Sequence, residues 1–362
     1  TEASACAVLT LGIYSRFHSS SRAWSGKAKS AHRSDRSEIG ESWAERPTFA
    51  MVEDATLKRP LVAGENGGGS TAGGPPQKKQ AQPPATAAEA VAFKNEFECK
   101  LAATLGLHEG ARSVTFLRFS SDGKQLASSS TDGTISIWCP HEGKLLRRFG
   151  KDTAGPLGAH EKGICCVSWS PDGSLLCTAS DDLTLRLWHS QTGKCLKVLR
   201  GHTHFVMCCE FSCRGNMIVS GAMDETVRIW ETKTGECIKE LPAHSDPVTS
   251  VDFSPDSSVF ASASWDGLCR LWDTETGKCL QTVYISSNPP VSSVRFTPNG
   301  RFLLVSHLDS AVRLWDINEA KWIKKYAGHR NDRHCITSHV CSTPSGATCI
   351  VSGSEDSAIY LW

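Results

Sequence analysis

Residues 218–230, IVSGAMDETVRIW, decide the architecture. Two short β-prone runs, one ending at Ala222 and one at Trp230, flank a tight turn built on Asp224. Asp224 stands six residues before Trp230, and the same interval recurs at Asp132/Trp138, Asp182/Trp188, Asp266/Trp272, Asp309/Trp315 and Asp356/Trp362. The tryptophans follow one another at steps of 50, 42, 42, 43 and 47 residues. Self-similarity with a period of about 40–45 residues means that each repeat is one supersecondary unit, stacked against its neighbours.

Working outward from that stretch, each unit has the same grammar. A strand of the form V-x-x-V-x-F-S leads into a Pro/Asp/Gly turn, as at Ser170–Gly173 and Thr297–Gly300. The second strand (LLCTAS, MIVSGA, VFASAS), the Asp turn and the strand closing on Trp follow, and then a fourth strand (CLKVL, CIKEL, CLQTV). Four short strands with turn signals between them predict one blade of a β-propeller, so the chain is all-β. Phe97–Leu105 alternates enough to be a further strand; with five full repeats and three strands of the sixth it would complete six four-stranded blades.

The residues that most resemble catalytic groups have a structural reading. His160, His202 and His244 lie 28 residues before Trp188, Trp230 and Trp272, and Thr178, Ser220 and Ser262 lie ten before them. Together with Asp182, Asp224 and Asp266 these can form a hydrogen-bonded chain ending on the indole N–H, which stabilises a core only when every member is satisfied. A hydrolase triad needs one exposed nucleophile, whereas this trio recurs in blade after blade. Ser128 and Ser352 hold the equivalent place in the first and sixth repeats. The fifth departs: Asn288-Pro289-Pro290 replaces the His segment and Val305 the Ser, while His108 is out of step in the first and His329 is followed by an insertion in the sixth. Those blades are expected to be less firmly tied.

Composition narrows the class. Net charge is +1, which favours neither nucleic acid nor an anionic membrane. No apolar run reaches the roughly 18 residues of a membrane-spanning helix. No Cys-x-x-Cys occurs among the sixteen cysteines, and reduced thiols are expected. Cys195, Cys237 and Cys279 recur at one repeat position and are expected to be buried; the adjacent pairs Cys165–Cys166 and Cys208–Cys209 should point to opposite sheet faces. Residues 1–50 lack Met and are rich in Ser and Arg, so they read either as a targeting segment or as sequence upstream of a start at Met51. Residues 51–96 collapse to Gly, Ala, Pro and Gln and are expected to be a disordered linker before a propeller over 97–362.

The motifs GHTHFVMCCEF, LPAHSDPVTSV, WDGLCRLWDTETGKCL, NPPVSSVRFTPNG and SGSEDS are specific enough to be recognised. Over residues 97–362 the chain resembles the WD-repeat scaffold subunit of COMPASS/MLL-type histone methyltransferase complexes. The resemblance implies a seven-bladed, non-enzymatic, nuclear propeller without cofactor or metal, continued past Trp362 by a further blade, so that the ring read here is one blade short. It implies an arginine-containing peptide in the central opening of one face and a second subunit in a cleft on the other. Carried over by position, Thr115, Thr131, Cys165, Asp181 and Cys335 line the opening. Met207 and Thr337 (with His339 as the other candidate) stand where the family clamps the guanidinium between aromatics, Met223 replaces a further aromatic, and Trp265 and His334 replace tyrosines. Asn299, Phe302 and Leu314 fall at the second cleft.

Function is therefore expected to be protein binding in chromatin regulation, with a methyltransferase-subunit peptide, a second complex subunit and a histone tail as partners. A monomeric propeller within a hetero-complex is implied, contacting neither nucleic acid nor membrane directly. The soft residues Met207, Met223 and Trp265 also suit a different ligand, as in an adaptor of a ubiquitin ligase or a cytoplasmic signalling complex. An enzyme has least support, since no carboxylate pair, metal cluster or isolated nucleophile stands outside the repeats.

Overall fold

The computed structural model describes residues 57–58, 113–342 and 348–362. The strands assemble into six four-stranded blades of a propeller ring. Blade 1 runs through Val114–Phe119, Leu126–Ser130, Ile135–Cys139 and Lys144–Phe149. Blade 2 is Ile164–Trp169, Leu175–Ser180, Thr184–His189 and Cys195–Arg200, and blade 3 is Val206–Phe211, Met217–Ala222, Thr226–Glu231 and Cys237–Pro242. Blade 4 is Val248–Phe253, Val259–Ser264, Cys269–Asp273 and Cys279–Val283; blade 5 is Val291–Phe296, Phe302–His307, Ala311–Asp316 and Lys321–Ala327. Blade 6 holds Ser338–Ser342, Thr348–Gly353 and Ile359–Leu361. Its fourth place is taken by Leu57–Lys58, parallel to Ile359–Tyr360. The strand expected at Phe97–Leu105 lies outside the described residues.

The first strand of each blade lines the axis, and these inner strands pack side by side from blade 1 to blade 6. Cores form between neighbouring blades: Trp188 packs with Ile137, Ile164 and Phe149, and Trp230 with Leu187, Val206 and Ile218. Solvent meets the fourth strands at the circumference. This corrects one expectation, because Cys237 and Cys279 are exposed and only Cys195 is buried. All three begin an outermost strand, but Cys195 is covered by an insertion carrying the short 3-10 turn Gly155–Leu157, and its N–H donates to the Ala154 carbonyl at 3.0 Å. The long first step between tryptophans is this cover.

The expected relay is present in blades 2, 3 and 4. In blade 3 the Trp230 indole donates to Ser220 Oγ at 2.8 Å, Ser220 meets His202 Nε2 at 2.7 Å, and His202 Nδ1 meets Asp224 Oδ2 at 2.9 Å. Blade 2 repeats it at 2.9, 2.7 and 2.8 Å through Thr178, His160 and Asp182. Blade 4 repeats it at 2.8, 2.7 and 2.9 Å through Ser262, His244 and Asp266. With a neutral ring protonated on Nδ1, each hydroxyl accepts from the indole and donates to the imidazole, so every member is satisfied. Burial opposes ionisation of Asp182 and Asp224, yet hydrogen bonds from His160 and His202, reinforced by Thr184 and Thr226, hold both carboxyls well below the usual range.

The histidine expected in blade 1, His108, lies outside the described residues, and blades 5 and 6 depart from the relay. In blade 1 Trp138 reaches Ser128 at 2.8 Å, while Asp132 caps its turn through Thr134. In blade 5 buried Trp315 Nε1 has no hydrogen-bond partner among the described residues, and Asp309 is held instead by Arg313. In blade 6 the Trp362 indole turns away from Ser352 and donates to Ala327 O at 3.3 Å, leaving both ring nitrogens of buried His329 without a partner among the described residues. Burial moves His329 down to about 4 and His307 down to about 3, and lowers His160. Each is thus less basic folded than unfolded, where histidine titrates near 6.5. Below 6.5 the unfolded chain binds more protons, so the stability these groups allow is complete above pH 6.5 and is lost as pH falls toward 4. Urea midpoints measured from pH 7 to pH 4 are expected to decline with a slope of up to about 1.4 kcal/mol per pH unit for each histidine. His329→Gln should flatten that slope by about one proton; an unchanged slope would contradict this account.

Candidate functional site

The central opening is built by a repeated irregularity. The register shifts once in the inner strands of blades 1 to 5, skipping Thr115, Cys165, Met207, Thr249 and Ser292. A bulge leaves its extra residue out of the ladder and re-aims its side chain. Three expected site residues, Thr115, Cys165 and Met207, are therefore the bulged residues of their blades. Thr249 and Ser292 hold the same place and were missed, although the position after the first Val or Ile of each V-x-x-V-x-F strand marks them.

The hydroxyls at these bulges tie one blade to the next. Thr115 Oγ1 donates to Ile164 O at 2.5 Å, Thr249 Oγ1 to Val291 O at 2.9 Å, and Ser292 Oγ to Ile336 O at 3.2 Å. Cys165 instead donates its thiol to Asp181 Oδ1 at 3.1 Å. Met207 has neither option and stands half-buried at the mouth.

A second ring lies just outside, at the residue before each turn aspartate. Thr131, Asp181, Met223, Trp265 and Leu308 each donate their backbone N–H to the residue just before their blade's inner strand, at 3.0, 3.0, 2.9, 3.2 and 2.9 Å, while Glu355 donates to Arg330 O, farther back in the loop entering blade 6, at 2.7 Å. The shared bond places five different side chains at equivalent points of one rim, and Glu355 joins them from the loop entering blade 6. Trp265 lies beside the Cys335 thiol, so these two expected residues approach each other across blades 4 and 6. Glu355 organises the approach to His334 by accepting the N–H groups of Asp332, Arg333 and His334 at 3.0, 2.6 and 3.1 Å. One rim aromatic escaped the sequence reading: Phe205, whose carbonyl accepts the Met223 N–H and whose ring carries the Lys162 ammonium 5.5 Å above it.

Deeper along the axis the inner strands carry charge. Glu210 of blade 3 accepts from Arg118 of blade 1 at 2.7 Å and from Arg295 of blade 5 at 3.1 Å, and Arg295 also reaches Asp252 of blade 4 at 2.9 Å. Ser168 of blade 2 adds a bond to Glu210 at 3.1 Å. Five blades thus meet in one buried polar cluster of two cations and two anions. Burial pushes the Asp252 carboxyl up against the pull of Arg295, and the arginine is held firmly protonated by its two carboxylates. Burial beside Arg295 and Arg118 drives the His339 imidazole down and keeps it neutral.

The opposite cleft collects the three residues assigned to the second face. Asn299, Phe302 and Leu314 line one hollow of about 490 Å³ with Lys324, Tyr326, Val340, Ile350 and Trp362. Leu314, Tyr326, Val340, Ile350 and Trp362 belong to one apolar cluster between blades 5 and 6. Lys324 lies over the Tyr326 ring at 5.0 Å, and the Arg301 guanidinium over Phe302 at 5.0 Å. The Asn299 carbonyl is already engaged, accepting from Thr297 Oγ1 at 2.6 Å and from the Arg301 N–H at 3.1 Å. The cleft is therefore an apolar trough with a cationic edge. Its blade 6 wall was missed because the insertion before Cys349 hides the register of that blade.

Among the described residues no group of three His, Cys, Asp or Glu could hold a metal ion, and no helix is long and apolar enough to cross a membrane. Each His–Asp–Ser/Thr trio ends on a buried indole rather than on an open pocket. Fold and sites together define a WD-repeat propeller of the protein-binding scaffold kind. A model of the WDR5 β-propeller domain family matches residues 106–362, and the chain belongs to that family. No curated protein matches the chain.

Replacing Arg295 by Met removes the cation shared by Asp252 and Glu210 and leaves buried negative charge uncompensated. A loss of about 3–5 kcal/mol in unfolding free energy is expected by denaturant titration. A loss below about 1 kcal/mol would show that the cluster does not hold the inner strands together.

Proposed function

We propose that the chain is the WD-repeat core subunit of a histone lysine methyltransferase complex, a non-catalytic nuclear platform that joins two partners through opposite faces. One partner lays a short hydrophobic–acidic segment into the cleft of Asn299, Phe302 and Leu314. The other presents an arginine-bearing peptide, from a methyltransferase subunit or a histone tail, to the rim of Thr115, Thr131, Cys165, Asp181, Met207, Met223, Trp265, His334 and Cys335. The observation that carries the reading is the chemistry of the cleft. A trough formed by Phe302, Leu314, Val340 and Ile350 accepts aliphatic side chains, and Lys324 at its edge suits carboxylates. The propeller supplies a rigid frame, so neither face has to be ordered when its partner binds.

Titration of a labelled peptide, two aliphatic residues followed by acidic ones, into the full chain tests the cleft. Leu314→Lys and Lys324→Glu are each expected to weaken it at least about 10-fold, or 1.4 kcal/mol. The Lys324 effect should shrink as salt rises, because an exposed ion pair is screened. Binding that neither substitution alters would place the site elsewhere.

The rim favours arginine less than aromatic walls would, since Met207 gives a guanidinium no π-face. Met207→Phe should tighten an arginine-bearing histone-tail peptide by about 0.5–2 kcal/mol, roughly 2- to 30-fold in Kd. The same rim, with Met207, Met223 and Trp265, supports the second reading, an adaptor of a ubiquitin ligase or a cytoplasmic signalling complex with a different ligand. Arginine-peptide affinity weaker than about millimolar, with no gain from Met207→Phe, would favour that reading.

A further inference from the structure

Blade 6 contains a pair of cysteines that neither the relay nor the rim uses. Cys341 and Cys349 are directly opposed on adjacent antiparallel strands, between the pairs Val340↔Ile350 and Ser342↔Thr348. Their thiols are in hydrogen-bond contact, which draws Cys349 down to about 7 against its burial. Ile350 exchanges both backbone hydrogen bonds with Trp362 at 3.0 Å, so the backbone groups of the preceding residue, Cys349, turn toward Cys341. Cα atoms in such a hydrogen-bonded pair lie about 5.5 Å apart, inside the roughly 4.4–6.8 Å that a disulfide spans. Side chains alternate along a strand, so this pair is on the sheet face opposite Val340 and Ile350. Those two residues form part of the cleft wall.

We propose that Cys341 and Cys349 form a reversible cross-strand disulfide, made by a peroxide and undone by a dithiol, that resets the wall of the neighbouring cleft. The Cys349 thiolate attacks one peroxide oxygen, breaks the O–O bond and expels hydroxide, becoming a sulfenic acid. The Cys341 sulfur then attacks Cys349 Sγ, the S–S bond forms, and the sulfenic oxygen leaves as water with the Cys341 proton. Two thiols lose two electrons and two protons, and one hydrogen peroxide becomes two waters. The sulfurs must close from hydrogen-bond contact to about 2.05 Å. That movement draws the strands together and carries Val340 and Ile350 with them. Any effect on peptide affinity rests on the cleft reading above; the disulfide and the strand shift do not.

The full chain is treated with limiting hydrogen peroxide, blocked with an alkylating agent and mapped by mass spectrometry, with hydrogen–deuterium exchange followed in parallel. Cys341 and Cys349 are expected to lose alkylation together and appear linked before the exposed Cys213, Cys237 and Cys279 react. Amides of 338–342 and 348–353 should gain protection, and dithiothreitol should reverse both changes. Cys341→Ser, at the less buried of the two, should keep reduced-state melting yet abolish the link and the added protection. Earlier oxidation of the other cysteines, or Cys349 passing to sulfinic acid without a link, overturns the proposal, as does a link that leaves exchange unchanged. Because linkage and exchange are read without peptide, a failure of the cleft peptide to bind is a separate result.

Discussion

The ring depends on one hydrogen bond, from the indole N–H of a blade's tryptophan to the hydroxyl of the serine or threonine ten residues before it. It ties the second strand to the third inside the core, and leaving such a donor unpaired would cost about 1–3 kcal/mol. In blades 2, 3 and 4 the hydroxyl passes the link to a histidine and an aspartate, so the bond also fixes the loop entering each blade and the turn between its second and third strands. Asp182, Asp224 and Asp266 are each spent twice, once on the imidazole and once on an N–H of their own turn. In these three blades the turn and the core anchor therefore share one carboxylate. Where the relay lapses, as at Trp315 and His329, the polar groups stay buried without partners among the described residues, and blades 5 and 6 hold the groups that acid should disturb first.

Most of the fold was legible because a propeller repeats its physics. Spacing alone gave the blade boundaries, the turn aspartates and the relay, since each is a local constraint met again in every unit. Burial at the circumference was not legible. Cys195, Cys237 and Cys279 occupy the same repeat position, yet only the first lies under an insertion, and nothing within the repeat reports what an insertion covers. Register also escaped: the bulges at Thr249 and Ser292 and the opposed pair Cys341↔Cys349 depend on which residues face each other across strands. Phe205 and Lys162 come together across blades 2 and 3, a contact between repeats that no single repeat encodes.

The buried charges on the axis show how the scaffold can hold still while its rims diverge. Arg118, Glu210, Asp252 and Arg295 come from four blades, and Ser168 adds a fifth. Such a cluster is weak evidence for net stability, because desolvating four charges offsets much of their attraction. Its geometry is nonetheless specific: any slip of one inner strand would strand a carboxylate or a guanidinium in a low-dielectric interior. The cluster and the bulge hydroxyls therefore fix the angle between successive blades, and the rim is set on that frame.

The rim side chains carry no part of that frame. Thr131, Asp181, Met223, Trp265 and Leu308 share one backbone hydrogen bond and differ in every side chain, because that bond asks only for an N–H. Substitution there leaves the indole relay and the axial charges untouched, so the rim can exchange aromatic walls for methionine at little cost to folding. The bulge positions are less free. Thr115, Thr249 and Ser292 face the opening but also tie their blades together, whereas Cys165 donates to Asp181 of its own blade and Met207 has no hydroxyl to give. A complete relay does not by itself release the tie, since blade 4 keeps both its His244 relay and the Thr249 bond. Blade 5 lacks that relay and keeps its hydroxyl. What the bulge does is thus set by its own side chain in each blade: a hydroxyl ties two blades together, and Met207 instead gives the opening an apolar wall.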